Sequence, residues 1–262
     1  MKFNIRLTLF AIFAMLATTG CEDLNICEAG EGFPEDFPLE VSEFNGIDLS
    51  SDADVTIVYG EVQSVVLRTQ PNLAEKFEVE VRDGVLSISN QGCIRNHDTE
   101  VFVTITQPLA TANISGSGDI VGQELIPAAD EAEMNISGSG SIDLILDKMS
   151  LLQTKISGSG DLRVAANPEM LESNISGSGT MKIIGEAVQH QCTITGSGDF
   201  FGYDLSARDN DLEIRGSGSA QVFVAGGILD VTISGSGDVF YRGTPASINA
   251  AIDGSGTLTE DN

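Results

Sequence analysis

The sequence contains no tryptophan, and aromatic residues make up only 6% of it. A thick core filled by large rings is therefore excluded. The hydrophobic 41% of the chain is mainly Ile, Leu, Val and Ala, which suits thin, closely spaced layers. Positive charge is also scarce: 13 Lys and Arg stand against 39 Asp and Glu, a formal net charge of −26. Such a chain repels polyanions, which excludes nucleic acid and anionic membrane surfaces as partners. Long apolar runs are missing as well. The longest, Leu7 to Ala17, has 11 residues, against the roughly 20 that a membrane-spanning helix needs. No segment has the periodicity of an amphipathic helix, apart from a possible single turn in "NLAEKF" at 72–77.

That short apolar run sits in an address segment. Lys2 and Arg6 precede it, and Thr18, Thr19 and Gly20 lead from it to Cys21. Residues 1–20 resemble a bacterial lipoprotein signal peptide, although Thr18 stands where such signals usually carry Leu. The resemblance implies cleavage before Cys21, lipid attachment at Cys21 and a membrane partner reached through that anchor. Cleavage would remove two cations and leave 11 − 39 = −28 charges. Glu22 and Asp23 follow directly. In Bacteroidetes-type lipoproteins such acids resemble the signal for export to the outer face of the outer membrane, whereas in enterobacterial sorting an acid at the second position means inner-membrane retention. The expected location is the outer membrane, lipid-anchored, on the cell surface. Residues 21–32 read as a tether.

Three cysteines remain. Cys27 and Cys93 both lie outside the repeats, in a compartment that permits disulfides, and a Cys27–Cys93 bond would tie the leader to the domain. Cys192 sits two residues before Ile194 and so shares its strand face, where a buried, inert thiol is expected.

The organising feature is a repeat. "GSG" starts at Gly116, Gly138, Gly158, Gly177, Gly196, Gly216, Gly235 and Gly254, at intervals of 22, 20, 19, 19, 20, 19 and 19 residues. A period near 20 with strand-like flanks means a stacked solenoid. An Ile stands two residues before the first glycine of every copy, from Ile114 to Ile252, and a second apolar column runs Ile120, Ile142, Leu162, Met181, Phe200, Ala220, Val239, Leu258. Both columns would stack inward, like on like, at about 4.8 Å per rung. The glycines are expected at corners, where a side chain would meet its copy above and below and where φ > 0 is available at little cost.

The residue after the second glycine alternates between acid and hydroxyl: Asp119, Ser141, Asp161, Thr180, Asp199, Ser219, Asp238, Thr257. With one repeat per rung, alternation keeps like charges from stacking. With two repeats per turn, acids and hydroxyls would instead fall on opposite sides. One rung per repeat is the favoured geometry. Residues 33–112 lack the motif but alternate as strands, and are expected to form irregular first rungs and a cap, continuous with the repeat region at 113–262.

The opener "F.GIDLSSDADVTIVYG" at 44–60, the segment "DGVLSI" and the repeated "SGSGD" together resemble the auto-transporter adhesin family with a head GIN domain, over about residues 40–258. The resemblance implies a right-handed parallel β-helix of the pectin-lyase type and a role in adhesion, with no catalytic residues to carry over. The fold class expected is thus all-β, a right-handed parallel β-helix or solenoid built from GSG repeats of 19–20 residues.

Three functions compete. The first is an adhesin or binding module presenting a solenoid face to a glycan or protein, with the loops at 123–133 and 202–211 as contacts. The second is a structural envelope lipoprotein without a dedicated ligand. The third is a polysaccharide-active enzyme, which would need clustered acids for calcium and a nearby basic residue. Arg163, Lys182, Arg208, Arg215 and Arg242 look scattered and columnless, and His190 reads as a strand-surface residue, so no catalytic site and no cofactor are assigned. Asp119, Asp161, Asp199 and Asp238 match calcium β-roll spacing poorly and are expected to hold cations loosely at most.

Overall fold

The computed structural model describes residues 27–261; residues 1–20, Cys21 and the first part of the tether lie outside that range. Nine strands precede the repeats: β1 (Glu28–Ala29), β2 (Glu35–Leu39), β3 (Gly46–Ser50), β4 (Asp54–Tyr59), β5 (Ser64–Thr69), β6 (Phe77–Arg82), β7 (Val85–Asn90), β8 (Ile94–Arg95) and β9 (Glu100–Ile105). The repeats supply β10 (Leu109–Ile114), β11 (Ile120–Ile126), β12 (Ala128–Ile136), β13 (Ser141–Ile156), β14 (Asp161–Ile175), β15 (Thr180–Gly196), β16 (Asp199–Gly216), β17 (Ser219–Val224), β18 (Ile228–Gly235), β19 (Asp238–Gly243), β20 (Ser247–Gly254) and β21 (Thr257–Glu260). The helical content of the described residues is one 3₁₀ turn, Ala74–Lys76.

The chain folds as a parallel β-solenoid. Ile136 pairs with Ile156, Ile156 with Ile175, Ile175 with Ile194 and Ile194 with Ile214, so each repeat lies directly on the next one in sequence and one repeat makes one rung. The column continues past the repeats through Leu49 to Ile88. From Ile88 to Ile233 its members are at most 1% exposed. Each such burial removes a large aliphatic side chain from water, a gain of roughly 1.5–3 kcal/mol per residue. The second column behaves likewise from Val101 and Val55 through Val239.

The corners explain the glycines in two ways. A Cβ on Gly138 would overlap the carbonyl oxygen of Gly116, and one on Gly158 that of Gly138. This inter-rung contact recurs at all the later corners. A positive φ is confined to the last four copies, for example +123° at Gly196, so close approach is the general requirement and the left-handed backbone a local one. The acid–hydroxyl alternation has a hydrogen-bonding basis as well. Asp119 Oδ1 accepts from both the backbone N–H and the hydroxyl of Ser141, at 2.7 and 2.8 Å; Asp199 does the same for Ser219, and Asp238 for Thr257. In the Asp161–Thr180 pair the amide turns instead to the Gly160 carbonyl.

Residues 60–108 leave the stacking order. β3 and β4 form one rung with β10 and β11 on one side, while β7 and β9, later in sequence, lie on the other side. On that outermost rung β5 runs antiparallel to β9, β6 antiparallel to β7, and β2 antiparallel to β5. Antiparallel strands thus close one end of the parallel stack. The leader is strapped to this end: β1 pairs with β8, Lys76 Nζ lies 3.0 Å from Glu28, and Cys27 and Cys93 are bridged with Cα atoms 4.5 Å apart. Their sequence separation is 66 residues, and a cross-link of that span removes on the order of 4 kcal/mol of chain entropy from the unfolded state.

Replacing Gly158 by Ala, whose Cβ would lie 2.0 Å from the Gly138 carbonyl oxygen, should destabilise the solenoid by about 3 kcal/mol or more, whereas Gly226→Ala, with no atom near its Cβ but a φ of +84°, should cost only the roughly 1–2 kcal/mol of a left-handed backbone. Denaturant titration of the two variants beside the parent measures the difference.

Candidate binding surface

Strand parity decides which side chains reach solvent. After each corner, the residue one beyond the second apolar column points outward, and the register aligns Asp143, Arg163, Lys182, Phe201, Gln221 and Phe240 on one outer column. Arg163 and Lys182 are therefore neighbours in a column, which corrects the expectation that the basic residues share none. Arg163 and Lys182 each stand five residues after the first glycine of their own repeat, so the shared column is already present in the motif spacing.

The far rungs of this face carry rings. Phe201, Tyr203, Phe223 and Phe240 are half-buried and alternate with fully buried core residues such as Phe200, Val222 and Val239. The Arg242 guanidinium lies over the Tyr203 ring, 4.0 Å from its centroid, and its Nη2 is 2.7 Å from Asp261. Burial, together with a hydrogen bond to Asp261, pushes the Tyr203 hydroxyl up to about 12, while that bond and the Arg242 contact hold Asp261 below the usual carboxylate range. Lys182 is 2.8 Å from Asp204, and its hydrogen bond lowers that carboxyl. Arg163 is 2.9 Å from Asp143. Each cation is matched by a carboxylate, so a locally neutral aromatic stripe stands on a strongly acidic molecule.

A second surface is the groove along the other bend of the rungs, about 810 Å³ in volume, walled by Asp130, Lys148, Glu169, Glu186, Val188 and Arg208. Asp130 and Arg208 come from the two stretches expected to be contact loops. Those stretches are not loops: 123–133 falls mostly in β11 and β12, and 202–211 lies wholly within the 18-residue β16. The chain turns the second bend with its ladder hydrogen bonds continuing, through register shifts such as that between Lys182 and Gly185.

His190 also departs from expectation. It is 1% exposed, on the inner column with Leu171 and Asn210. Its ring stacks on Phe200 across the core at 4.7 Å, and Nδ1 is 3.0 Å from Asn210 Oδ1, while Nε2 has no partner. Burial lowers its pKa to about 4. The parity that places Cys192 inward applies equally to His190, two residues earlier. Cys192 itself is buried, and burial pushes its thiol up to about 12, well outside the reactive range. Among the described residues no three His, Cys, Asp or Glu side chains are close enough to hold a metal ion, and no helix is long and apolar enough to cross a membrane.

These features define a class: a single-chain parallel β-solenoid, capped at one end, whose distinctive chemistry lies on its outer face. The chain belongs to the family described as "Putative auto-transporter adhesin, head GIN domain", whose profile matches residues 43–245. Its fold is shared by a crystal structure of a "putative adhesin" from Parabacteroides merdae, with a TM-score of 0.83 at 23% identity over 89% of this chain and 98% of that one. It is also shared by a "putative lipid binding protein" from Parabacteroides distasonis, with a TM-score of 0.82 at 22% identity over 89% and 99%. A "putative adhesin" from Bacteroides fragilis matches at 0.65 and 19% over 89% and 99%. No curated protein matches the chain.

The His190–Asn210 pair predicts a pH response. An unfolded His titrates near 6.5, whereas the folded one stays neutral until about 4. The unfolded state therefore takes up the proton first, and stability falls as pH drops from about 6.5 to about 4, by roughly 3 kcal/mol in all. Urea melts at pH 7 and pH 4.5 should show this loss in the parent. In the His190→Leu/Asn210→Leu variant, which continues the flanking Leu171 and Leu229 column, the loss between the two pH values should be smaller by most of that amount.

Proposed function

We propose that this protein is a surface-anchored lipoprotein adhesin, held in the outer membrane by acylation of Cys21, that binds a neutral glycan on the aromatic stripe of its solenoid. The observation that carries the reading is the stripe itself: outward Phe201, Tyr203, Phe223 and Phe240 beside an Arg242 whose charge is already matched by Asp261. Sugar rings present apolar C–H faces that stack on aromatic side chains, while their hydroxyls hydrogen-bond to paired charged groups and amides. Gln221, between Phe201 and Phe240 in the same column, supplies such an amide. Phe201 and Phe240 stand two rungs apart, about 9.6 Å, so a chain of sugars, rather than one ring, would bridge them. An acidic polysaccharide is disfavoured because the net charge of the molecule is −26 and the cations of the face are already neutralised. Family membership supports adhesion over catalysis.

Two experiments test this. Protease treatment of intact cells should remove the full-length protein while a periplasmic control survives; complete protection would sink surface display. Screening neutral and acidic glycans should return neutral chains. Phe240→Ala or Arg242→Ala should then weaken binding about tenfold, the 1.4 kcal/mol expected for one ring or one cation–π contact. Unchanged affinity in both variants would remove the stripe from the binding role.

A further inference from the structure

The bridge between Cys27 and Cys93 decides which strand of the cap takes a pull on the leader. Without it, tension entering at Cys27 runs along the chain through β1 and then β2. β1 is two residues long and pairs with β8. Beside it, Asn72 donates to the Ala29 carbonyl and accepts from the Glu31 N–H, and the exposed Lys76–Glu28 ion pair adds one contact. β2 is an edge strand, paired on one side with β5, and none of its residues is fully buried. Pulled away from the stack, such a strand gives up its ladder bond by bond. With the bridge closed, the shortest covalent path from Cys27 to the repeats crosses the two sulfurs to Cys93 and continues through β8 into β9, so residues 28–92 drop out of it. The segment reached first, 97–99, is tied to the first-rung corner and to β5. His97 Nε2 lies 3.1 Å from Asp52 Oδ2, the Thr99 carbonyl accepts from the Asp54 N–H at 3.1 Å, and Thr99 Oγ1 is 2.8 Å from Thr69 Oγ1 in the interior. β9 itself is paired on both flanks, parallel to β4 and antiparallel to β5, and its Val101, Val103 and Ile105 are at most 1% exposed. To give way it must break the ladder to β4 and draw three aliphatic side chains out of the core into water.

We infer that the Cys27–Cys93 bridge is a force-transfer device: it moves tension applied at the leader from the edge strand β2 to the doubly paired β9, and so keeps residues 28–92 folded while the protein is pulled. The inference takes its direction of pull from the anchoring at Cys21 and the ligand on the aromatic stripe proposed above. A molecule held at its cap and gripped at its far rungs is stretched along the solenoid axis, across its strands. In that direction an edge strand opens one hydrogen bond at a time. The 66 residues between the two cysteines would otherwise yield roughly 230 Å of slack between anchor and ligand. This role is separate from the entropy that the bridge removes from the unfolded chain, because that entropy does not select which strand is pulled.

The test is extension of the unacylated full chain in optical tweezers, with DNA handles joined by thioether bonds to Cys21 and to Ser217→Cys, an exposed corner position. Cys192 is buried, and Cys27 and Cys93 are bridged, so the handles go to the two intended sites. A dithiol reductant is then added, to which the exposed Cys93 is open. Reduction should introduce an early event, at lower force than the first rupture of the bridged molecule, that releases about 65 Å of chain, the length of residues 27–46. Val103→Ala should lower the first rupture force before reduction and leave the early event after reduction unchanged. Phe37→Ala, on β2, should do the reverse. A bridge that only stabilises the fold would not produce this exchange. The same first rupture force before and after reduction, or a bridged molecule indifferent to Val103→Ala, would overturn the proposal. If a substituted chain does not fold, the comparison of the otherwise unchanged chain before and after reduction decides. The handles supply the pull, so this result is independent of the anchoring: protection of the protein on protease-treated cells would remove the surface anchor and leave the measured path of force in place.

Discussion

The closest constraint in this molecule is the approach of one corner to the next. At each Gly-Ser-Gly the carbonyl oxygen of one rung lies where the Cβ of the rung above would be, so two backbones touch with no side chain between them. That contact fixes the register. Once Gly138 sits on Gly116, the parallel ladder carries Ile136 onto Ile114 and Ile142 onto Ile120, and the apolar columns need no further specification. The hydrogen bonds from Ser141 to Asp119, and their later copies, add a polar lock beside the glycine one.

Because a rung meets only its two neighbours, departures from the common pattern can be compensated locally. Phe200 is the bulkiest fully buried side chain, and its surroundings make room for it. Ala220 follows it in the column, a Cβ at Gly202 would strike its ring, and the flat face of His190 lies against it. His190 in turn finds one partner in Asn210, on the next rung. The region is a self-contained exception: large, aromatic and polar where the other rungs are aliphatic.

The solenoid was legible because the signal repeats. Eight evenly spaced motifs with Ile on one side and an apolar residue on the other leave little freedom for another fold. The cap was legible as β structure, but its order was not. No local pattern says that β7 and β9 lie beyond β3 and β4, because that choice is made by long-range pairing. His190 is readable by the same parity that places Cys192 inward, although an ionisable side chain by itself suggests solvent. The aromatic stripe had a compositional trace that repeat analysis passes over. Residues 103–199 contain no aromatic residue at all, and then Phe200, Phe201, Tyr203, Phe223, Phe240 and Tyr241 follow within a few rungs. Periodicity brings out what the copies share, whereas the candidate site consists of what three of them do not.

The strap at the cap gives the molecule a direction. With β1 and Cys27 fastened beside β8 and Cys93, the chain enters the solenoid at its closed end, and the Cys21 anchor proposed above would hold it there. The rungs then act as a spacer measured in units of about 4.8 Å. The aromatic stripe lies on the fifth to seventh of the eight repeats, so its distance from the capped end is set by how many plain rungs come before it. Gain or loss of one 19-residue unit below Phe201 would move the stripe farther from or nearer to the capped end by a single strand spacing and leave its chemistry unchanged. The length of the array and the outer chemistry of its last rungs are thus written in separate repeats, and either can vary without the other.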